Sequence, residues 1–265
     1  MEKLFRQAAD ILARSQRLVV FSGAGVSKES GIATFREAQD ALWGRYDPHQ
    51  LATLQGFRRN PKLVWEWYEH RFGLLGDVTP NPGHLAIAAL ERYVPHVVVI
   101  TQNIDNLHRA AGSSDVVELH GNWRFYRCLG GHKGFTRADF ADQTDIPPQC
   151  PRCGDMLRPD VVWFGEMLPP EALERAFAES AACDAMLVVG TSGLVQPAAS
   201  LPTYARRAGS PIIEVNPNRS AITPLADVFL QGPAGEMLPR VMNELATIMG
   251  EERTASPISP VLRSQ

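Results

Sequence analysis

The sequence is poor in cysteine, and this scarcity argues against a secreted scaffold held together by disulfides. Four cysteines occur among 265 residues. The close pair Cys150 and Cys153 has the spacing of metal ligands in a reducing compartment. Cys183 stands beside an apolar run, and we expect it to be a small buried residue. The cysteines therefore favour a metal site over a disulfide framework.

Long apolar runs and excess charge are also lacking. No stretch approaches the roughly 20 apolar residues of a membrane span, and the charged residues 1–7 lack the apolar core of a secretory signal. The formal net charge of −3 gives no strong attraction to nucleic acid or to an anionic membrane. We therefore expect a cytoplasmic protein that binds neither nucleic acid nor membrane.

What the sequence does contain is a series of short apolar runs. The first run, Leu18–Phe21, follows a segment in which Leu4, Ala8 and Leu12 recur at helical spacing. The later runs are mostly separated by stretches able to form helices, and this rhythm predicts an α/β fold with a doubly wound parallel sheet. These runs are Val97–Ile100, Val116–Leu119, Met186–Val189, Ile212–Val215 and Val228–Leu230.

Two segments interrupt the pattern. Residues 36–96 are too long for a simple crossover and are helical in pattern around 61–75, which predicts a helical cap over the sheet edge. Residues 124–159 contain three of the cysteines and few apolar residues at helix or strand spacing. This predicts a small module whose hydrophobic core is too small to fold unaided. The predicted nucleotide-binding domain comprises 1–35, 97–123 and 160–250, and 251–265 is expected to be a disordered tail.

A glycine pair follows the first apolar run. Gly23 and Gly25 permit backbone N–H groups to approach a pyrophosphate, and a following helix N-terminus would add a favourable dipole. Lys28 stands where the third glycine of the dehydrogenase fingerprint would fall, so a hydride-transferring enzyme is poorly supported. Taken alone, the pair fits a plain turn as well as a phosphate site.

Polar side chains follow the second and third apolar runs, where ligands bind in an open α/β sheet. Gln102, Asn103 and Asp105 come after the second run, and His120 comes after the third. Imidazole titrates near neutrality and can remove a proton from a hydroxyl within hydrogen-bond reach. The alternative for the amide and carboxylate groups is a loop that caps a helix.

In this order, the three blocks resemble the sirtuins, the NAD-consuming lysine deacylases. Residues 29–36 resemble the flexible cofactor loop of that family, with Ala33 where proline is usual. The resemblance implies a Rossmann-like domain, NAD as co-substrate and acylated lysine-containing proteins as partners. It places at NAD the residues Gly23, Ala24, Gly25, Thr34, Phe35, Arg36, Gln102, Asn103, Asp105, Gly190, Thr191, Ser192, Asn216, Asn218 and Ala234.

The resemblance also implies a mechanism. Asp105 holds the nicotinamide carboxamide, Asn103 orders the ribose and the catalytic water, and His120 deprotonates a ribose hydroxyl. The acyl oxygen of the modified lysine attacks C1′ of NAD, nicotinamide leaves, and the products are free lysine and O-acyl-ADP-ribose. Zinc has no catalytic role in this scheme. We expect His84 and His108 to be packing or helix positions.

An acyl pocket is indicated by Tyr68 and Arg71, which project to one face of a predicted helix. A phenol and a guanidinium together can bind a carboxylate. The pair matches the Tyr-x-x-Arg of the class III sirtuins, which remove succinyl and malonyl groups, and Ala52 matches the small residue of their pocket. The alternative is a half-buried aromatic beside a solvated arginine.

A second substrate segment follows from the same resemblance. Val161, Val162 and Phe164 resemble the edge along which the substrate peptide pairs as an added strand. The alternative is that these aliphatic residues belong to the core.

The zinc module departs from the family pattern. A structural zinc takes four Cys or His ligands, usually from two Cys-x-x-Cys knuckles. Cys128 is followed three residues later by Gly131, so the first knuckle lacks a ligand, and His132 is a possible replacement. Three options remain open: zinc with His132, zinc with three protein ligands, or a module folded without metal.

The sequence therefore predicts an NAD-dependent protein-lysine deacylase that prefers succinyl and malonyl over acetyl groups. Two alternatives remain. An NAD-dependent ADP-ribosyltransferase would share the cleavage of the cofactor, and a non-catalytic NAD-sensing or protein-binding module would share the fold. The presence of His120 argues against the second alternative, and the Tyr68–Arg71 pair argues against the first.

Overall fold

The computed structural model describes residues 1–33, 48–75 and 78–250. The predicted cofactor-loop residues Thr34, Phe35 and Arg36 and the predicted tail 251–265 lie outside the described residues. The strands in chain order are β1 (Arg17–Ser22), β2 (His96–Thr101), β3 (Val116–Glu118), β4 (Gly121–Cys128), β5 (Leu157–Val161), β6 (Ala185–Val189), β7 (Ile212–Asn216) and β8 (Val228–Gln231).

Six of these strands form one parallel sheet in the order β3-β2-β1-β6-β7-β8. Each strand is built from one of the apolar runs, because a strand covered on both faces buries every side chain. In β1, Leu18 and Val20 enter the core on one face, while Val19 and Phe21 enter the core on the other. The predicted doubly wound, Rossmann-like sheet is therefore confirmed.

The described α-helices are α1 (Glu2–Arg14), α2 (Pro48–Leu51), α3 (Leu54–Arg59), α4 (Pro61–Leu75), α5 (Pro82–Ala89), α6 (Leu107–Ala110), α7 (Pro170–Ala182), α8 (Leu201–Arg207) and α9 (Ala234–Ile248). Helices α1, α5 and α9 cover one face of the sheet, and α7 and α8 cover the other. Helix α5 lies within the 36–96 segment, yet it packs against α9 because its apolar residues face the sheet core. In the described part of the chain, no helix combines the length and apolarity needed to cross a membrane.

The smaller part of the molecule is an antiparallel ribbon of β4 and β5 packed against α4. Helix α4 spans the residues predicted to be helical, and its two sides enter different clusters. Tyr68 packs with Trp163 and Val161, whereas Trp65 packs with Tyr126 and with the buried cysteines of the ribbon. The predicted helical cap and the predicted metal module are thus joined through one helix.

The sheet order reverses between β1 and β6, and the loops after these strands touch there. The Gly25 N–H donates to the Gly190 carbonyl at 2.8 Å. A Cβ atom on Gly25 would lie 2.7 Å from the Gly190 oxygen, and a Cβ atom on Gly190 would lie 2.3 Å from the Val26 nitrogen. Glycine is needed because the two backbones meet directly. The helix expected after Gly23 is a 3-10 helix, Ala24–Ser30.

We predict that Gly25→Ala destabilises the protein by about 1–3 kcal/mol, because the added methyl group overlaps backbone atoms that have no rotamer to change. Urea unfolding followed by circular dichroism measures the change. The matched control is Gly73→Ala in α4, where an added Cβ has no neighbour within 4 Å. This control should be neutral or stabilising by up to about 1 kcal/mol. Equal effects of the two substitutions would refute the contact.

Candidate active site

A chain of hydrogen bonds joins the ends of β1 and β2 to the turn after β1. Ser22 Oγ donates to Thr101 Oγ1 at 2.9 Å, and Thr101 Oγ1 accepts from the Asn103 N–H at 3.0 Å. Asn103 Nδ2 then donates to Ser27 Oγ at 3.0 Å. Ser27 Oγ donates to Asp105 Oδ2 at 2.7 Å. The predicted pair Asn103 and Asp105 is therefore brought together by a serine that the sequence analysis did not assign to the site.

Asp105 has two separate roles in this arrangement. One carboxylate oxygen accepts from Ser27, while the other accepts from the Leu107 N–H at 3.0 Å at the start of α6. Burial raises the pKa of the Asp105 carboxyl, and the bonds from Leu107, Ser27 and Asn103 oppose that rise. The helix-capping alternative is thus correct for one oxygen. The other oxygen belongs to the hydrogen-bond network at the ends of β1 and β2.

His120 lies beside the same segment. Its Nδ1 is 2.9 Å from the Gln102 carbonyl oxygen, which can only accept, so Nδ1 carries the proton and Nε2 is left as a base. Burial lowers the pKa of the imidazole, and the bond to Gln102 opposes this effect. The backbone carbonyl of His120 accepts from the Val162 N–H at 2.9 Å. The ring is therefore neutral at pH 7 and held in one tautomer.

Gln102 connects this base to the reversal point of the sheet. Its Nε2 donates to Thr191 Oγ1 at 2.9 Å, and the Thr191 carbonyl accepts from Asn216 Nδ2 at 2.8 Å. Other predicted cofactor residues lie farther along the same edge. Ser192 and Asn218 are exposed on the turns after β6 and β7, Ala24 opens the turn after Gly23, and Ala234 is buried at the first position of α9.

Two buried histidines contact serines of this network: His108 contacts Ser22, and His84 contacts Ser27. Burial lowers the pKa of His84 to about 4, and burial together with the neighbouring His84 lowers that of His108 to about 3. His84 completes the capping box of α5 with Asn81, and His108 Nε2 lies 2.8 Å from Ser22 Oγ. Both rings are neutral at pH 7 and serve as buried hydrogen-bonding groups, in agreement with the expected packing and helix positions.

The predicted acyl-pocket residues share one buried cluster. Ala52 and Tyr68 both lie in the apolar cluster formed by α2–α4 and the segment after β5. Burial raises the pKa of the Tyr68 phenol to about 12. Arg71 stacks its guanidinium 4.8 Å from the ring centroid of Trp67, and burial lowers its pKa. Within residues 1–33, 48–75 and 78–250, no carboxylate forms an ion pair with Arg71.

The predicted substrate edge divides into buried and exposed residues. Val161 pairs with Gly121 and is 3% exposed, so its side chain belongs to the core, as the alternative interpretation held. Val162 is half-buried next to His120. Phe164 is 47% exposed, and its N–H donates to the Ala52 carbonyl at 2.9 Å. The segment therefore runs from the backbone of His120 to that of Ala52, one of the predicted acyl-pocket residues.

The ribbon carries a four-residue cluster of metal-binding groups. The ligand atoms of Cys128, His132, Cys150 and Cys153 all lie within 4.8 Å of one another. Cys128 Sγ is 3.7 Å from Cys153 Sγ and 3.5 Å from His132 Nδ1. Tetrahedral zinc with ordinary bond lengths separates two sulfurs by about 3.8 Å and a sulfur from a nitrogen by about 3.6 Å. The donor set therefore fits a structural zinc ion with His132 as fourth ligand.

The local backbone explains why His132 takes that place. The Gly131 N–H donates to the Cys128 carbonyl at 3.1 Å, and Gly131 adopts a φ of 95°. This turn returns the chain so that the His132 N–H donates to Cys128 Sγ at 3.3 Å. Of the three options left open by the sequence, the geometry favours zinc with His132. All four positions are held by protein, which leaves no open coordination site for catalysis.

The parallel sheet, the polar network at its reversal point and the appended zinc module define a nucleotide-binding enzyme with a structural metal. The model of the Sir2 family matches residues 23–197, and the chain belongs to this family. An NAD-dependent protein deacylase from Pyrococcus abyssi is 49% identical over 248 residues, which cover 92% of this chain and 98% of the relative. The enzyme is accordingly an NAD-dependent protein deacylase of the sirtuin type with NAD as co-substrate.

Solved structures agree with this assignment. A Sir2 homologue in complex with NAD is 44% identical, has a TM-score of 0.82, and the match covers 91% of this chain and 94% of the homologue. Sir2Af2 bound to a myristoylated histone peptide is 40% identical with a TM-score of 0.75, and the match covers 95% of this chain and all of that chain. The similarity thus extends over both the sheet and the zinc module.

We predict that His132→Ala weakens zinc binding by on the order of 100-fold or more, because losing a ligand costs more than the 10- to 100-fold of losing a residue that hydrogen-bonds to a ligand. His132→Cys should retain zinc, since it restores a thiolate. Zinc content after chelator competition and the thermal unfolding midpoint measure both effects. His70→Ala, an exposed histidine outside the cluster, is the control. Unchanged zinc content in His132→Ala would exclude His132 as a ligand.

Proposed function

We propose that this enzyme removes succinyl and malonyl groups from protein lysines in preference to acetyl groups, and that it releases nicotinamide and O-acyl-ADP-ribose. One observation carries the proposal. The Arg71 side chain is half-buried, yet within the described residues its guanidinium contacts the face of an indole and forms no ion pair. A charge in that position is stabilised when a ligand supplies the opposite charge.

The groups around Arg71 suit a carboxylate at the end of an acyl chain. A guanidinium binds a carboxylate through two parallel N–H···O bonds. The Tyr68 phenol keeps its proton at neutral pH because burial raises its pKa to about 12, so it is able to donate a third bond. Ala52 contributes only a methyl group to the same cluster. An acetyl group brings no carboxylate and leaves both donors without an acceptor, which lowers its relative rate.

The chemistry that we propose for the deacylation uses the hydrogen-bond network at the sheet edge. Bound NAD supplies the reactive nicotinamide–ribose bond. His120, neutral and protonated on Nδ1, accepts a proton from a ribose hydroxyl at Nε2. Asp105, held by Ser27, orients the nicotinamide carboxamide, and Asn103 orients the ribose and the attacking water. The Sir2 homologue that binds a myristoylated histone peptide supports acylated proteins as the substrates.

The substrate peptide is proposed to bind along the edge at Val162 and Phe164, whose N–H groups donate to the backbone carbonyls of His120 and Ala52. We also propose that the enzyme works in the cytoplasm. Three cysteines of the metal cluster are free thiols rather than disulfides, and thiolate ligands persist in a reducing compartment.

We predict that kcat/KM falls at acid pH with a midpoint below 6.5, the ordinary pKa of histidine. The base is active when neutral, so a pKa lowered by burial extends activity toward lower pH. His120→Asn should reduce kcat by about 100- to 10,000-fold and abolish the acid limb. Rates are measured from pH 5 to 9, with His70→Asn as the control. An unchanged acid limb in His120→Asn would assign the proton transfer to another group.

We predict that Arg71→Met reduces kcat/KM for a succinyl-lysine peptide by about 10- to 100-fold, the cost of losing hydrogen bonds to a charged group. The value for the matched acetyl-lysine peptide should stay the same or rise. Arg71→Lys keeps the charge but loses the planar guanidinium, so its kcat/KM for the succinyl-lysine peptide should lie between those of the wild type and Arg71→Met. Free lysine and nicotinamide are followed by mass spectrometry with acetyl-, malonyl- and succinyl-lysine peptides of one sequence.

The same assay separates the competing functions. Equal rates on the three wild-type acyl peptides would contradict the proposed preference. Nicotinamide release with ADP-ribosylated protein and no free lysine would identify a transferase. Binding of NAD without turnover would identify a non-catalytic module.

A further inference from the structure

A fully buried arginine lies near the proposed acyl pocket and differs from the half-buried Arg71 in its partners. Arg158 on β5 is 2% exposed. Its two terminal nitrogens donate to the two carboxylate oxygens of Glu166 at 2.5 and 2.9 Å, and one of them also donates to the Val161 carbonyl at 2.7 Å. Burial raises the pKa of Glu166, but the bonds from Arg158 and Trp163 outweigh it and hold the pKa below its usual value. The pair is therefore ionised and bidentate.

This ion pair fixes the position of Trp163. Glu166 Oε2 accepts from the Trp163 backbone N–H at 2.9 Å, and the Arg158 guanidinium lies 3.6 Å from the centroid of the indole ring. Phe57 packs on the same indole with ring centroids 5.3 Å apart. A buried ion pair adds little net stability but imposes a definite geometry. The indole is thus held by its backbone and by contacts to its ring.

The orientation of the indole matters because its edge reaches Tyr68. Trp163 Nε1 lies 2.9 Å from the Tyr68 hydroxyl oxygen, across 95 residues of sequence. An indole N–H can only donate, so the phenol oxygen is the acceptor and its own proton remains for another partner. Among the described residues, no acceptor for that proton forms a hydrogen bond with Tyr68. The indole therefore occupies one side of the phenol oxygen and leaves the O–H to point elsewhere.

We infer that Trp163 is a specificity-determining positioning residue of the acyl pocket, whose N–H directs the Tyr68 hydroxyl toward the carboxylate of the acyl group. Arg158 and Glu166 hold the indole in place for this task. The inference rests on the proposed preference for carboxylated acyl chains. It adds a residue that does not touch the acyl group itself and acts through Tyr68.

Trp163→Phe tests the inference, because phenylalanine keeps an aromatic ring against Arg158 and Phe57 but removes the donor. We expect KM for the succinyl-lysine peptide to rise about 3- to 10-fold, the range for loss of one neutral hydrogen bond. The kcat should change little, since His120 is untouched. The acetyl-lysine KM should change less than about twofold. In a Tyr68→Phe background the same substitution should have no further effect on the succinyl KM, because no hydroxyl remains to be oriented.

Trp65→Phe is the matched control, because Trp65 is a buried tryptophan of the other cluster that α4 contacts. It should leave the ratio of succinyl to acetyl KM unchanged. Thermal unfolding midpoints are measured for every variant to establish that each one folds.

The outcomes distinguish this inference from the proposed function. Equal losses on succinyl and acetyl peptides would reduce Trp163 to a packing residue, and full additivity with Tyr68→Phe would exclude an action through the phenol. If Arg71→Met still removes the succinyl preference, either of these results overturns the inference about Trp163 and leaves the proposed function standing. A wild-type enzyme without any succinyl preference would overturn the proposed function and the inference together.

Discussion

The direct contact of two backbones at the reversal point of the sheet holds together the loops that carry the candidate site residues. Gly25 and Gly190 allow the loops after β1 and β6 to meet, so Thr191 lies close enough to accept a bond from Gln102. Gln102 in turn offers its carbonyl to His120 and so sets which ring nitrogen carries the proton. Gln102 thus connects His120, through its backbone carbonyl, to the loop after β6, through its side chain.

Two arginines, Arg158 buried and Arg71 half-buried, differ in whether the fold compensates their charge. Arg158 has a bidentate carboxylate partner, a backbone carbonyl and the face of Trp163, so its charge is compensated within the fold. Arg71 has the face of Trp67 and no ion pair within the described residues. Both side chains lie near the same aromatic cluster. Of these two arginines, only Arg158 has a carboxylate partner among the described residues. The carboxylate of the proposed acyl substrate would compensate the charge of Arg71.

Local patterns in the sequence were sufficient to predict the strands of the sheet and helix α4, because strand and helix periodicities are set by residues close together in the sequence. They did not reveal Ser27 or Trp163, whose partners Asp105 and Tyr68 lie 78 and 95 residues away. A serine two positions after a glycine pair and a tryptophan among aliphatic residues carry no signal of such bonds. His132 was left open for a related reason, since its place in the cluster depends on the turn at Gly131 and not on knuckle spacing.

Helix α4 connects the zinc module to Tyr68 and Arg71 of the proposed acyl pocket, although the four protein ligands leave the metal no open position. On one side of the helix Trp65 packs with Tyr126 and with two of the zinc ligands, while on the other side Tyr68 packs with Trp163. Glu69, between these faces, accepts a bond from the Tyr126 hydroxyl at 3.0 Å. A module with a core this small needs the metal to stay ordered. Its order is transmitted to Tyr68 and Arg71 because both are carried by the helix that the module supports. Zinc therefore stabilises the helix that carries Tyr68 and Arg71, the residues of the proposed acyl pocket.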